Sequence, residues 1–176
     1  MQHSLNSATA TGGREQGRVA GLFIASERGQ PLRAVASVRA VPGWGLEGDR
    51  YWGYSRRLSR DPGRACAITL IAAEALDVAA REHGLELAPI EARRNVLTRH
   101  VDLNALVDRD FSVDEVWLRG LMLCEPCNHL RKLTGKEVLR PLVHRGGLRA
   151  EILSEGMIRV GAAITVCGAA RAPGPA

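Results

Sequence analysis

The segment Ala65-Cys66-Ala67-Ile68-Thr69-Leu70-Ile71 runs directly into Ala72-Ala73-Glu74-Ala75-Leu76-Asp77-Val78-Ala79-Ala80-Arg81-Glu82-His83-Gly84, and the contrast between its halves decides the fold class. The first half is a short apolar run of strand length. The second is the clearest helical pattern in the chain. Ala75, Leu76, Val78, Ala79 and Ala80 form a small apolar face, Glu74 lies in the first turn where the helix dipole favours an acid, and Gly84 supplies a stop. Outward from this point strand signals dominate. On the N-terminal side, Arg18 to Ser26 is rich in Val, Leu, Phe and Ile, and the turn Gly29-Gln30-Pro31 leads into Leu32 to Val41, which predicts a hairpin. Pro42 to Asp61 is a long loop holding Gly43, Gly45, Gly48 and Gly53 among aromatics and mixed charge.

On the C-terminal side, Asn95 to Thr98 reads as a strand end, Asp102 to Leu106 as a single helical turn and Asp114 to Leu123 as a long strand. Asn128 to Thr134 reads as a short helix closed by Gly135, with a further helical turn near Glu137 to Leu142. Leu148 to Leu153 and Ala163 to Cys167 are closing strands joined through turns at Gly156 and Gly161. Many short strands with a few short peripheral helices predict a mainly β (α+β) domain built as a closed or nearly closed β-barrel. It spans residues 18–168, between a Ser/Thr/Gly-rich segment 1–17 and a tail 169–176 that read as frayed ends.

The 176 residues are 45% apolar and 24% charged, enough for one globular core, and only 4% aromatic, so that core rests on Leu, Val, Ile and Ala. The formal net charge of +5 fits ordinary basic solubility or an anionic ligand. Nucleic acid is a minor reading, because the Arg residues are dispersed and only Trp44, Tyr51, Trp52 and Tyr54 group together. No apolar run approaches the roughly 20 residues that span a bilayer, and no signal peptide stands at the start. A cytoplasmic location follows as the default, with Cys66, Cys124, Cys127 and Cys167 as free thiols.

Cys124-Glu125-Pro126-Cys127 is a CxxC between a predicted strand and a predicted helix. A thiol at a helix N-terminus faces the positive end of the dipole, which favours thiolate, so Cys127 is the better activated of the two. Four readings stay open from the residues alone. A structural zinc site lacks a second ligand pair, and a thioredoxin-like dithiol lacks its βαβ surroundings. Two buried structural thiols and a reactive thiolate complete the set. Arg93-Arg94-Asn95 offers bidentate cations and an amide, against the alternative of a solvated basic loop. His144-Arg145-Gly146-Gly147-Leu148-Arg149 is a candidate anion nest or simply a turn before a strand. Asp49, within Gly48-Asp49-Arg50-Tyr51, is a candidate acid, a partner that orients Arg50, or a turn cap; the turn is the favoured reading.

Taken in order, several segments resemble the MOSC family, named for the C-terminal part of molybdenum cofactor sulfurases. They are Gly48-Asp49-Arg50-Tyr51, Ile68-Thr69-Leu70-Ile71 with Glu74-Ala75-Leu76, Arg93-Arg94-Asn95-Val96-Leu97-Thr98, Leu103-Asn104-Ala105-Leu106, Phe111-Ser112-Val113, Val116-Trp117-Leu118, Leu123-Cys124-Glu125-Pro126-Cys127 and Ile158-Arg159-Val160-Gly161. The resemblance implies a strand-rich barrel and makes Cys127, the Cys after Pro, the molybdenum ligand or sulfur-carrying residue. It places Arg93 and Asn95 on the pterin or phosphate of the molybdenum cofactor (molybdopterin), and Arg145 and Arg149 of the candidate anion nest join them as expected phosphate contacts. It also implies reduction of a small N-hydroxylated or N-oxygenated substrate, with electrons from a separate redox protein. From the residues themselves, Asp49 or His144 is the candidate to move protons, and the lack of a long apolar run argues against a membrane partner. His100, Asp108 and Ala162 depart from the family's turn residues Gly, Gly and Asp. Cys124 is not a general family feature and brings in a disulfide or a resolving thiol. Without the sulfur-supplying aminotransferase-like domain, no pyridoxal phosphate is expected in this chain alone. The alternatives to the enzyme are a persulfide carrier, a cofactor-binding module without turnover, and an idle domain that binds a partner protein.

Overall fold

The computed structural model describes residues 16–53 and 67–166. Residues 1–15 of the expected N-terminal segment 1–17 and the tail 169–176, together with Tyr54, Cys66, Cys167, the end of the 42–61 loop and the first residues of the strand expected from Ala65, lie outside the described residues, and Gly17 of that segment already belongs to a strand.

Among the described residues eleven strands run in chain order: β1 Gly17–Ile24, β2 Arg33–Ala34, β3 Ser37–Val41, β4 Gly45–Leu46, β5 Ile68–Ala72, β6 Val96–Arg99, β7 Asp110–Val113, β8 Val116–Leu123, β9 Leu148–Ile152, β10 Gly156–Arg159 and β11 Ala163–Val166. Three helices accompany them among the described residues: α1 Ala73–His83, α2 Asn128–Thr134 and α3 Leu139–Leu142, with a 3-10 turn at Asn104–Leu106. Seven strands close into a barrel in the order β11-β7-β8-β9-β5-β6-β1, because β1 pairs back onto β11. β5 and β6 run parallel, connected through α1, and the other barrel pairs are antiparallel. Register shifts in β1 between Val19 and Gly21 and in β8 between Gly120 and Met122 supply local bends.

Two apolar cores follow from strand alternation. Leu70 and Val96 point into the barrel beside Leu22, Phe111, Leu118 and Leu148. Their neighbours Ile71 and Leu97 point outward, where Leu76 and Ala79 of α1, Leu130 of α2 and Leu142 of α3 cover them. Consecutive apolar residues in β5 and β6 therefore mean burial on both faces.

The helix after Ile71 and the barrel match the expectation from sequence, and three element assignments need correcting. Leu32 to Val41 is not one strand. Its first part makes a two-residue hairpin with β1, and β3 leaves to pair with β10 and β4 in a separate three-stranded sheet. Asp114 does not begin a long strand: it has a φ of 49° and turns β7 into β8. Gly156 opens β10 rather than a turn, since β3 supplies a partner far away in sequence. The turn at Gly161 is present, with a φ of 91°. His100 and Asp108 both adopt a φ of 59°, the left-handed conformation of a turn glycine, and both are exposed. Ala162 differs from the surface position expected for it, being buried at the foot of β11.

Candidate functional site

A cleft of about 800 Å³ opens on the outer face of the barrel. Thr69 of β5 and Arg149 of β9 are register partners at its floor. Cys124 and Cys127, with His129 and Leu130 of α2, form one side; Arg28, Arg50, Tyr51 and Arg93 form another. Arg94 brings the number of arginines to five, against Glu125 as the single carboxylate in the lining. Such an excess of guanidinium groups attracts anions and offers planar bidentate donors to phosphate or carboxylate oxygens.

Cys127 sits where β8 has ended and α2 begins. Its extended backbone (φ −141°) caps the helix, its carbonyl accepts from the Arg131 N–H at 3.1 Å, and its side chain is exposed. Cys124 is 4% exposed, and its N–H donates to the Gly147 carbonyl at 2.7 Å. Both thiols are free, and both border the cleft. The Gly146-Gly147 pair exists for close backbone approach. A Cβ at Gly146 would lie 2.5 Å from the Cys124 oxygen, and one at Gly147 would lie 2.0 Å from the Leu70 oxygen. These contacts wedge the pair between β5 and the CxxC, so its role here is packing rather than the anion nest offered by its sequence.

Arg93 and Arg94 part company although they are adjacent. Arg94 is 8% exposed and spends its guanidinium on three carbonyls: Gly146 at 2.9 Å, Cys124 at 2.9 Å and Ala92 at 3.2 Å. It ties the segment before β6 to the CxxC and to the Gly pair. Arg93 adopts a φ of 58°, donates to the Gln30 carbonyl at 2.9 Å and lines the cleft. Burial, and next the nearby Arg50 guanidinium, lower its pKa from the ordinary arginine value. Arg50 donates to the Arg93 carbonyl at 3.1 Å and to Asp49 at 3.1 Å. Tyr51 has the Arg50 and Arg28 guanidinium carbons 4.8 and 5.4 Å from its ring centroid.

The residues singled out from sequence therefore separate. Cys127, Cys124, Arg93 and Arg149 meet at the cleft. Asn95 does not line it: the side chain is 2% exposed, accepts from the Thr69 N–H and hydroxyl at 3.2 and 2.8 Å, and donates to the Phe23 carbonyl at 3.2 Å. That amide ties β1 and β5 to the start of β6, which corrects its assignment as a ligand contact to a positioning one. Asp49 is likewise buried and engaged, accepting from the Ala25 N–H at 3.1 Å, from Arg50, and from the Tyr51 N–H at 3.3 Å. It caps the turn and orients Arg50 rather than facing the cleft as an acid. His144 is exposed, with its N–H and Nδ1 on the Glu125 carboxylate at 2.9 and 3.0 Å. Arg145 points to Glu82 of α1, at 3.6 Å. Neither of these last two borders the cleft.

Arg28, Arg50 and Glu125 border the cleft without having been singled out. The charged and aromatic run Arg50-Tyr51-Trp52 was the one available signal; nothing local distinguishes Arg28 from other surface arginines. Among the described residues no three His, Cys, Asp or Glu side chains converge as a metal-binding group, and no helix is long and apolar enough to cross a membrane.

Comparison with known proteins agrees with this architecture. A MOSC domain model matches residues 57–165, more than half of the chain. No curated protein matches it. Among solved structures, the YuaD protein from Bacillus subtilis superposes with a TM-score of 0.72 at 17% identity, covering 86% of this chain and 95% of that one. YiiM from Geobacillus stearothermophilus gives 0.62 at 14%, covering 86% and 75%, and YiiM from Escherichia coli gives 0.61 at 17%, covering 86% and 70%. At these identities the three structures speak for the fold alone. Arg28, Asp49 and Arg50 lie before the stretch matched by the family model.

Proposed function

Because the chain belongs to the MOSC domain family, we propose that the arginine-lined cleft holds the molybdenum cofactor and that Cys127 supplies its thiolate ligand. The protein would then be an oxidoreductase that reduces N-hydroxylated or N-oxygenated compounds, with electrons from a separate redox protein. The observation that carries this reading is an exposed thiol on the rim of a cleft lined by five arginines and one carboxylate. That donor set fits a ligand with a soft metal at one end and a phosphate at the other. When bound, the molybdenum centre supplies oxygen-atom transfer.

The chain's own residues do the rest. Arg93 and Arg149 hold the phosphate or pterin edge, with Arg28 and Arg50 adding to the positive field. Arg94 and the Gly146-Gly147 wedge keep the CxxC backbone in place, so the Cys127 side chain meets the cleft without a loop having to reorder. Asp49 keeps Arg50 aimed by accepting one of its N–H groups. Proton delivery is assigned neither to Asp49, which is consumed by its turn, nor to His144, which is held on the Glu125 carboxylate outside the cleft lining.

A second reading has one observation in its favour. Cys124 borders the same cleft as Cys127, as a sulfur carrier would need if Cys127 held a persulfide that Cys124 resolves by thiol exchange. Protein purified from a host that makes the cofactor separates the two. Molybdenum near one atom per chain, lost in Cys127→Ala, supports the enzyme. A mass gain of one sulfur on Cys127 without molybdenum supports the carrier. Full molybdenum in Cys127→Ala removes the thiolate-ligand reading.

A further inference from the structure

Glu125 is the one carboxylate among the described residues that line the cleft, and it lies between the two cysteines of the CxxC. A carboxylate among five guanidinium groups competes with any anion for their donors unless something holds it aside. Here His144, outside the lining, takes both of its oxygens. Oε2 accepts from the His144 N–H at 2.9 Å, and Oε1 lies 3.0 Å from Nδ1. A carboxylate only accepts, so Nδ1 is the nitrogen that carries the proton. The contact is anchored from behind. His144 adopts a φ of 58°, a left-handed backbone that is uncommon for a residue with a Cβ. Its carbonyl accepts from the Asn104 side-chain amide at 2.8 Å, and the next N–H, of Arg145, donates to the Leu142 carbonyl at 3.0 Å. The 3-10 turn and α3 therefore fix the His144 backbone, and its N–H and ring nitrogen reach the same carboxylate. Two residues on, the Gly146-Gly147 wedge closes against the Cys124 and Leu70 carbonyls, so one segment holds both the frame of the CxxC and the charge within it.

We propose that His144 is a positioning residue that holds the Glu125 carboxylate off the cleft arginines and so keeps the cleft open to a phosphate-bearing anion. Glu125 already borders the space that the arginines line, so rotation about its own side-chain torsions is enough to turn a released carboxylate toward them. It would then occupy donors that the anion needs and cancel part of the positive field. Two hydrogen bonds from a single anchored residue oppose that turn. The side chains are 78% and 41% exposed, which keeps the contact weak in absolute terms and sets the expected effect at a few-fold change in affinity. This inference rests on the cleft being an anion site, but it concerns only the arginines' grip on phosphate oxygens and is measurable on protein without any cofactor.

Calorimetric titration of the full, cofactor-free chain with pyrophosphate tests the clamp in the parent, His144→Gly, Glu125→Gln and the double variant. Glycine takes the φ of 58° without strain, so His144→Gly removes the ring and keeps the backbone conformation. The Kd should rise about threefold to fivefold in His144→Gly and stay at or below the parental value in Glu125→Gln. In the double variant it should return to within about twofold of the parent, because no carboxylate remains to be held aside. A plain tie on the CxxC backbone predicts instead that the double variant binds as weakly as His144→Gly, and that result overturns the clamp. His144→Asn tolerates the left-handed backbone and still offers side-chain N–H donors, so it should keep the Kd within about twofold of the parent. Unchanged affinity in His144→Gly, or equal weakening with and without the carboxylate, also overturns the proposal. A parent that does not bind pyrophosphate overturns it too, while the cofactor reading is then decided separately by molybdenum retention. The expected pattern in a protein that retains no molybdenum from a cofactor-competent host supports the clamp and removes only the cofactor reading.

Discussion

The frame of the cleft and its lining use the same residue types at adjacent positions, to opposite ends. Arg94 is buried and bound to three carbonyls, while Arg93, one residue earlier, borders open space with a depressed pKa. Cys124 is buried under the Gly pair, while Cys127, three residues on, is exposed. Asp49 is locked into a turn, and Arg50 beside it is aimed at the cleft. The difference teaches that a charged group's role here is set by whether the fold buries it or leaves it on the cleft. A buried group with each of its nitrogens engaged supports the frame, and a group that borders the cleft is placed to meet a ligand.

The largest effect that tests this contrast belongs to the frame. Arg94→Met strands the Cys124, Gly146 and Ala92 carbonyls together, and chemical denaturation should register a loss of about 3 kcal/mol. A loss below about 1 kcal/mol would mean that water replaces the guanidinium at no great cost and that the frame is not built as described. Arg149→Ala, in the lining, should do the opposite. Stability should fall by less than in Arg94→Met, while the Kd for pyrophosphate, measured by calorimetry, should rise roughly fivefold to tenfold. Destabilisation comparable to that of Arg94→Met would erase the distinction between frame and lining.

The smallest effect lies outside both regions, where Glu91 accepts two short contacts from Lys136 and a backbone bond from Ala88. The Lys136 hydrogen bond, and then the Ala88 N–H, hold this carboxyl below its ordinary value of 4.5. A carboxyl with a depressed folded-state pKa adds stability that is complete above the unfolded value and fades as the pH falls through the folded one. Glu91→Gln should therefore be slightly less stable than the parent near pH 7, and the gap should close under acid titration below 4.5. A gap that stays constant into acid would show that the ion pair adds nothing, as exposed pairs often do.

Much of the fold was readable from local pattern. The helix Ala73–His83 and its Gly84 stop, the short helix Asn128–Thr134 with Gly135, and the apolar runs of β5 and β8 follow from periodicity and turn chemistry, which act over a few residues. β10 and the break between β2 and β3 were not readable, because those segments are strands only through partners distant in sequence. The same division runs through the site. The CxxC and the Arg-Arg-Asn run drew notice by composition, yet composition could not say that Asn95 would be spent on Thr69 and Phe23 or that His144 would turn to Glu125.

The sequence by itself determined that this is a strand-rich barrel with a reactive-looking Cys127 after Pro126 at a helix start, since strand length, capping and family motifs are written along the chain. Only the tertiary structure decided which charges line the cleft. Arg28, Arg50, Arg93 and Arg149 come from the loop after β1, the loop after β4, the entry to β6 and strand β9. Whether a guanidinium ends buried in the frame or on the cleft depends on barrel closure and on the Gly146-Gly147 wedge. Both are long-range contacts that no local stretch of sequence encodes.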